Sequence, residues 1–439
     1  MPAPPAPSLP ASAPPGGVTE RGIGGHLQRA ARSGERLALL CVAFDNLDAI
    51  ALAHGAMACD LLLAELGQSV AALVGQAGEV MVPGDGTLLV LQPLLGGTAA
   101  ARALAGRVAL LADGPQQLGG RDVHLRARVG VAVFPDDAGD PPALRRHARL
   151  AAMHAARDPR RRPQFFLAEM AAALSEEQRL AEALRAALAD GQLRLAFQPQ
   201  LDIRGGRIFA TEALLRWTHP VLGPVSPASF VAVAERSGLI VPLGRWVLNE
   251  ACRVGAAWHR GGADLRMAVN LSPAQVAFPE LVDEVEEALR RSGLPAERLV
   301  LEVTERLLMR DLETATRALG RLRQRGVGVA LDDFGAGHAG IGYLRDLPVD
   351  QLKIDRSLVD DLDDADRRPA LTGAVVALGR ALGMQVLAEG VETASQLDGL
   401  RRMGCDAAQG YLIARPVQAG SGRGILPPAA VTAAAPAPS

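Results

Sequence analysis

Residues 298–335 read RLVLEVTERLLMRDLETATRALGRLRQRGVGVALDDFG. The stretch opens on an apolar run, RLVLEVTE (298–305), and closes on another, VGVALDDFG (327–335). Between them ETATRALGRLRQRG (313–326) carries apolar residues at helical spacing and ends on a glycine. Strand, amphipathic helix, strand is the repeating unit of a sheet whose strands run parallel. Outward from it the same alternation continues. Strand-like runs stand at LRLAFQPQL (193–201), IFATEALLRW (208–217), RMAVNLS (266–272), QLKID (351–355), MQVLAEGVE (384–392) and AAQGYLI (407–413). ELVDEVEEALRRSG (280–293) is a further amphipathic helix. Eight strands with helices between 192 and 417 predict an α/β fold, a (β/α)₈ TIM-type barrel. The first two strands are joined only by DIRGGR (202–207), too short for a crossover helix, so one strand is expected to run antiparallel.

The polar residues gather where this fold builds its sites. Glu212 follows IFAT, Asn270 ends RMAVN, and Glu302 and Glu305 close LVLEVTE. Asp332 and Asp333 close VGVAL, Lys353 and Asp355 close QLKID, Glu389 and Glu392 close QVLAEGVE, and Gln409 lies in the last run. The C-terminal ends of parallel barrel strands converge on one face. So many carboxylates share a site only with positive charge among them, because like charges raise each other's pKa and an unpaired buried carboxylate costs several kcal/mol. Oxygen ligands suit Mg²⁺ or Mn²⁺ better than Zn²⁺. Adjacent aspartates at 332 and 333 are read as bridging two ions, the arrangement that clamps both oxygens of a phosphoryl displacement. A lone acidic residue at a strand end is as readily a helix cap. Asp355 is read that way, or as a partner of Lys353, and Glu305 and Glu392 as supports for the ligands.

Lys353 stands out for another reason. It is the only lysine among 46 Lys plus Arg in the chain. Where arginine has taken every other basic position, the survivor marks a place that needs a compact ammonium. It is expected to position or deprotonate a water and to offset phosphate charge.

The segment TEALLRWTHPVLGPVSPASFVAVAERSGLI, with AVNLS, LEVTE, DDFGAG, LKIDRS, LAEGVET and AAQGYL in order, resembles the EAL-domain family. The resemblance implies an enzyme that hydrolyses cyclic di-GMP to pGpG with two Mg²⁺ or Mn²⁺ ions. It implies Glu212, Asn270, Glu302 and Asp332 on one ion, and Asp332 and Asp333 on the second. Lys353 and Glu389 would act on the catalytic water, with Gln409 nearby and Glu305 bracing the loop 334–341. Arg216, Gln198 and Leu214 would contact substrate. In that loop the family usually shows a tyrosine and small hydroxyl residues where this chain has His338, Ala339 and Gly340, which puts loop-borne control in question more than the chemistry. A receptor that binds without turnover, or a scaffold, are the competing readings, and pGpG formation separates them.

Before the barrel, residues 19–168 hold strand-like runs at 37–44 (LALLCVAF), 87–94 (TLLVLQPL) and 124–134 (HLRARVGVAVF), with Ala-rich helical stretches between. This part resembles a GGDEF-type cyclase, an α/β sandwich, in degenerate form. The signature loop reads Pro83-Gly84-Asp85-Gly86-Thr87, with Gly86 where an acidic residue is expected. The family's metal-binding Asp falls at Ala43 and its nucleotide-contacting Asn at Ala51, while Asp60 is retained. The product-inhibition motif would span Val74 to Ala77 and is missing. The resemblance implies a regulatory domain without cyclase activity, with GTP or a protein as its partner. The Arg-rich stretch 140–163 is read as a solvated face rather than a nucleic-acid patch, consistent with a net charge of −2.

A connecting helix is predicted over 169–190, the barrel over 191–418, and Pro/Ala-rich disordered tails over 1–18 and 419–439. The four scattered cysteines read as reduced core residues of a cytoplasmic protein. No run reaches the length of a membrane span, and the N-terminus lacks the pattern of a signal peptide. A homodimer through the EAL-like domain is implied by the resemblance.

Overall fold

The computed structural model describes residues 15–419, apart from 96, 157, 159, 306–310, 336–340, 361 and 363–368. The chain divides into two compact units, residues 1–176 and 177–439.

In the first unit, β1 (Leu37–Phe44), β2 (Glu79–Met81), β3 (Leu88–Pro93), β6 (Ala127–Phe134) and β7 (Gln164–Phe165) form one sheet in the order β2-β3-β1-β6-β7. A separate hairpin is made by β4 (Pro115–Leu118) and β5 (Arg121–His124). The run that reads as one strand over 124–134 is therefore split between the hairpin and the sheet. All of β1 is buried, so its sequence is apolar throughout rather than alternating. Ala38, Leu40 and Val42 face one core with Leu62, Leu66 and Val108, while Leu37, Leu39 and Cys41 face another with Ile23, Leu27 and Leu144. Helices thus cover both faces, the α/β sandwich expected.

Two features of this unit correct the sequence reading. A helix over Pro15–Ser33 begins inside the stretch read as a tail. The 19-residue helix Ala56–Val74 is apolar enough by length and composition to span a bilayer, contrary to the expectation that no run would be. It buries Leu62, Leu63, Leu66 and Val70 within this unit. Gly130 tests how tightly the unit is built. A Cβ there would lie 2.0 Å from the backbone nitrogen of Ala152, with no flexible side chain to yield. Gly130→Ala is expected to cost about 3 kcal/mol or more by forcing helix Pro141–Ala155 off the sheet. Chemical denaturation of the whole chain measures it, and an unchanged midpoint would refute that packing.

The second unit is a closed barrel. Its strands are β8 (Leu193–Asp202), β9 (Arg207–His219), β11 (Arg266–Asn270), β12 (Leu299–Thr304), β13 (Gly328–Phe334), β14 (Gln351–Ile354), β15 (Gln385–Ala388) and β16 (Ala407–Ala408). Short β10 (Gly223–Val225) and β17 (Val417–Gln418) add to β9 and β8. Around the circuit from β9 to β16 neighbouring strands pair parallel, and β8 closes it antiparallel to both β9 and β16. This is the (β/α)₈ barrel with one reversed strand that the short DIRGGR turn requires. The last strand is much shorter than AAQGYLI, because the chain turns away after Ala408. Parity along each strand sorts the side chains. Met267, Val269, Leu299 and Leu301 point outward into the core under the helices. Ala268, Val300 and Ala330 form a small layer inside the barrel. Residues two positions further along face the same interior at its C-terminal end. The helix Ala168–Ala189 buries Leu184 and Ala187 against Trp217, Phe230 and Leu243.

The four cysteines are free and buried. Of the tails expected at 1–18 and 419–439, residues 1–14 and 420–439 lie outside the described residues.

Candidate active site

Parity delivers Asn270, Glu302, Asp332 and Lys353 to the inner face of four successive strands. Asn270 sits opposite Glu302, and Asp332 stands one step further along, opposite Thr304. Glu212 on β9 lies beside Ala268 and opposite Gln198 on the reversed strand. Glu389 follows β15 directly and donates its backbone N–H to Ile354 O at 3.1 Å.

Lys353 is the hub. Its ammonium is fully buried and lies 2.8 Å from Glu302 Oε2, 2.7 Å from Glu389 Oε1 and 3.1 Å from Asp332 Oδ1. Three donors thus meet three carboxylates, and Glu212 Oε2 stands fourth at 4.0 Å. Asn270 Nδ2 donates to Glu212 Oε1 at 2.6 Å, and Gln409 Nε2 donates to Glu212 Oε2 at 2.6 Å. Gln409 is fixed in turn by Gln200, whose Nε2 donates to it at 3.0 Å, and by its own Nε2 bond to Gln198 at 3.2 Å. Gln200 carries no signal in the sequence, where a glutamine inside an apolar strand reads as filler.

The electrostatics follow from crowding. Burial disfavours the Lys353 charge, but Asp332, Glu212, Glu302 and Glu389 outweigh it and hold its pKa well above the usual lysine range. Burial pushes Glu302 well above the usual carboxylate range, with Glu212, Asp332 and Glu389 adding to it against the pull of Lys353. Burial likewise raises Glu389 to about 8 despite Lys353. Glu212 goes the other way: burial raises it, but Lys353 and the bonds from Gln409 and Asn270 hold it lower.

Asp332 and Asp333 pose a steric problem, since adjacent residues of a strand point to opposite faces. The structure resolves it with an irregularity in the β13–β14 ladder between Leu331 and Phe334. There Asp333 adopts φ of 57°, a left-handed conformation that aspartate tolerates better than most side chains. One carboxylate oxygen from each of Asp332, Asp333 and Glu389 then lies within 4.8 Å of the others. Burial and the neighbouring Asp332 raise Asp333.

These residues fit divalent cations. The donors are all oxygens. Glu302 Oε1 is buried with no hydrogen-bond partner among the described residues. Five carboxylates answer to one ammonium. A cluster of this kind is stable only with further positive charge in it.

An open pocket of about 250 Å³ leads to the cluster, lined by Gln198, Glu212, Asp332, Glu389 and Gln409. Arg356 and Tyr411 line it too, and the sequence reading does not reach them. Arg356 is held at 3.0 Å by Glu392 and at 3.2 Å by Asp360, so Glu392 anchors a side chain at the pocket wall. Tyr411 stacks under the guanidinium of Arg415 at 4.3 Å. Asp355 caps, accepting from Ser357 N at 3.0 Å and Ser357 Oγ at 2.5 Å. Arg216 stands on β9 beyond Glu212, half-buried, with its pKa lowered by burial and Nη1 donating to Leu215 O at 2.9 Å. Leu214 is half-buried beside it. Neither lines this pocket. Glu305 is buried, while His338, Ala339 and Gly340 of the loop it is expected to brace lie outside the described residues.

In the first unit, Ala43 is buried in β1. Asp85 is bound by Arg145 at 2.8 Å and by Arg149 at 3.4 Å, and Asp45 by Arg161 at 2.8 Å and Arg128 at 3.1 Å. Several arginines of the 140–163 stretch are thus spent on carboxylates. Gly86 has φ of 76° and leaves no side chain beside Asp85.

Comparison with known proteins gives two family matches. The EAL domain model matches residues 181–416, and the model for the diguanylate cyclase GGDEF domain matches residues 19–162. The chain is 39% identical over 395 residues to the bifunctional diguanylate cyclase/cyclic di-GMP phosphodiesterase MucR of Pseudomonas aeruginosa, covering 90% of this chain and 57% of that protein. It is 33% identical over 375 residues to the cyclic di-GMP phosphodiesterase PdeR of Escherichia coli, covering 85% and 56%. The chain spans about half the length of the curated relatives it matches. Among solved structures, the PaMucR phosphodiesterase in complex with c-di-GMP aligns with a TM-score of 0.53 at 45% identity, over 55% of this chain and 98% of that one. The FimX EAL domain of Pseudomonas aeruginosa bound to c-di-GMP aligns with a TM-score of 0.51 at 28% identity, over 55% and 97%.

Proposed function

The chain belongs to the EAL-domain family, and from that premise we propose that it hydrolyses cyclic di-GMP to pGpG. The observation that carries the reading is the cluster of Glu212, Glu302, Asp332, Asp333 and Glu389 around the single lysine, at the end of the barrel where this fold does its chemistry.

The ions are Mg²⁺ or Mn²⁺, two of them. Glu212, Asn270, Glu302 and Asp332 would hold one, and Asp332 and Asp333 the other. Bound there, such ions would lower the pKa of a water and neutralise charge developing on the phosphate. The chain's own residues do the rest. Asn270 spends its amide N–H on Glu212, which leaves its carbonyl oxygen as a ligand. Glu389, 2.7 Å from Lys353 and beside Asp332 and Asp333, is placed to take a proton from the attacking water. Lys353 holds Glu302, Asp332 and Glu389 in register and offsets the charge of the phosphate. The water oxygen bonds to phosphorus as Glu389 takes its proton, the P–O3′ bond breaks, and O3′ leaves and is protonated from solvent. Arg216 takes a phosphate oxygen bidentately, and Gln198 and Leu214 line the substrate.

The first unit is read as regulatory and without cyclase activity, binding GTP or a protein. A cyclase needs carboxylates to hold two ions on a triphosphate. Here Ala43 and Gly86 supply none, and Asp85 is tied to arginines. The same proposal takes 19–168 and 191–418 as the domains, joined by the helix at 169–190. It adds a homodimer through the barrel and a cytoplasmic location, where the four thiols stay reduced.

The test is incubation of the whole chain with cyclic di-GMP and Mn²⁺ or Mg²⁺, with products separated by chromatography. Linear pGpG is expected, abolished by EDTA, and GTP alone should give no cyclic di-GMP. Tight binding without pGpG would make the protein a receptor instead.

A further inference from the structure

The opposite end of the barrel carries a second concavity, of about 660 Å³, that shares no lining residue with the catalytic pocket. It lies where the strands begin. Arg266 opens β11, and parity sets it on the inner side below Ala268 and Asn270. Arg298 directly precedes β12, Arg204 stands in the turn between β8 and β9, and Arg207 opens β9. Phe209, half-buried, gives one apolar wall.

The charges in this mouth do not balance. Four guanidinium groups face three carboxylates, Asp202, Asp264 and Asp406. Each carboxylate is already engaged. Asp264 pairs with Arg298. Asp202 Oδ1 accepts from the backbone N–H of Arg204 and Gly205 at 3.0 Å, and its other oxygen is 3.8 Å from Arg207 Nε. Asp406 Oδ2 accepts from Val386 N at 2.9 Å. Among the described residues, Arg204 and Arg266 have no carboxylate partner. Two forked donors without counter-charge, at the lip of a concave space, suit the planar bidentate geometry of phosphate oxygens.

We propose that this mouth is a binding site for a phosphorylated small molecule, held through its phosphate by Arg266 and Arg204 and flanked by Phe209. It places a ligand at the far end of the same barrel. The proposal does not depend on the barrel being a phosphodiesterase, since no catalytic residue takes part.

Isothermal titration of the whole chain with inorganic pyrophosphate, in buffer containing EDTA so that no metal recruits the anion to the other end, tests it. Saturable one-to-one binding below about 1 mM is expected. Arg266→Ala should weaken it about tenfold, and adding Arg204→Ala should weaken it further. Arg291→Ala, on an exposed helix face, should change nothing. Both arginines are exposed, so the variants should keep the wild-type melting temperature, which is checked alongside. ADP titrated in parallel identifies the ligand's other half. A gain over pyrophosphate that disappears in Phe209→Ala marks a nucleotide, and equal affinity marks the phosphates alone. No saturation up to about 10 mM, or equal affinity in the double variant, would overturn the site, leaving a rim of solvated arginines.

Discussion

Replacing Lys353 with methionine is expected to remove cyclic di-GMP hydrolysis and to split the protein's stability in two, depending on metal. The volume is nearly kept, so the change is one of charge. Glu302, Asp332 and Glu389 each lose a bond of 3.1 Å or less to the ammonium, and Glu212 loses its neighbour at 4.0 Å. Removing one partner of a buried ion pair costs about 3–5 kcal/mol, because the other charge stays buried and unanswered. Here several carboxylates share one cation, so in EDTA the barrel should melt well below wild type. Divalent ions supply the missing charge, and saturating Mn²⁺ should recover much of the loss. Activity should not return. The rate should fall about 10²–10³-fold, the usual effect of deleting a preorganised electrostatic group at a reacting phosphate or carbonyl. Melting curves in EDTA and in Mn²⁺, beside single-turnover rates, separate the two effects. Wild-type turnover in this variant would remove Lys353 from the chemistry. An unchanged melting temperature in EDTA would mean that the cluster does not carry the charge described here.

Half of that role is legible in the sequence. A single lysine in an arginine chain, at the end of a strand among acidic strand ends, points to the site. That three carboxylates converge on the ammonium is not legible there, because it depends on the stagger between strands: Asp332 stands opposite Thr304 and not Glu302. Most of the barrel strands are readable to within two residues, though MQVLAEGVE (384–392) is a strand only over Gln385–Ala388. Buried parallel strands are continuous apolar runs, and the helices between them bring clear amphipathic spacing and capping glycines. Elsewhere local pattern is not enough. AAQGYLI looks like a strand, yet only Ala407 and Ala408 pair, since Gly410 packs against the backbone of Val391 so closely that no side chain would fit. HLRARVGVAVF looks continuous, yet Asn46 binds His124 O and the backbone N–H of Arg126 and interrupts it between hairpin and sheet. Asp333 is the sharpest case. Alternation along a strand argues that two adjacent aspartates cannot share a site, and only the positive φ at a ladder irregularity overrules it. Gln200 and Arg356 escape sequence reasoning because a buried amide and a helix-start arginine carry no signal of their own.

Glu302→Gln isolates the metal from the lysine. Glu302 is the most enclosed of the proposed ligands, almost wholly buried, with one oxygen on Lys353 and the other without a partner among the described residues. Burial and its acidic neighbours raise its pKa well above the usual range, so without metal its charged form is costly to keep. Glutamine is close in shape to the carboxyl and keeps a carbonyl to accept from Lys353. The metal-free variant should therefore melt within about 1 kcal/mol of wild type, unlike Lys353→Met. Removing the charge also relieves repulsion among the remaining carboxylates. The loss appears only when ions are added. An amide is a poor substitute for a carboxylate ligand, and the deficit should be at least the roughly 10–100-fold in affinity that changes outside the ligand shell cost. At an ion concentration about 100 times the wild-type Kd, a site weakened about 100-fold forfeits most of about 2.7 kcal/mol of ligand-linked stability. Thermal denaturation against Mn²⁺ concentration reads this directly, and the Mn²⁺ needed for half-maximal hydrolysis should rise by the same factor. If the Mn²⁺ titration of the variant matched wild type, Glu302 would be a partner of Lys353 alone, and the first ion would have to be held by Glu212, Asn270 and Asp332 without it.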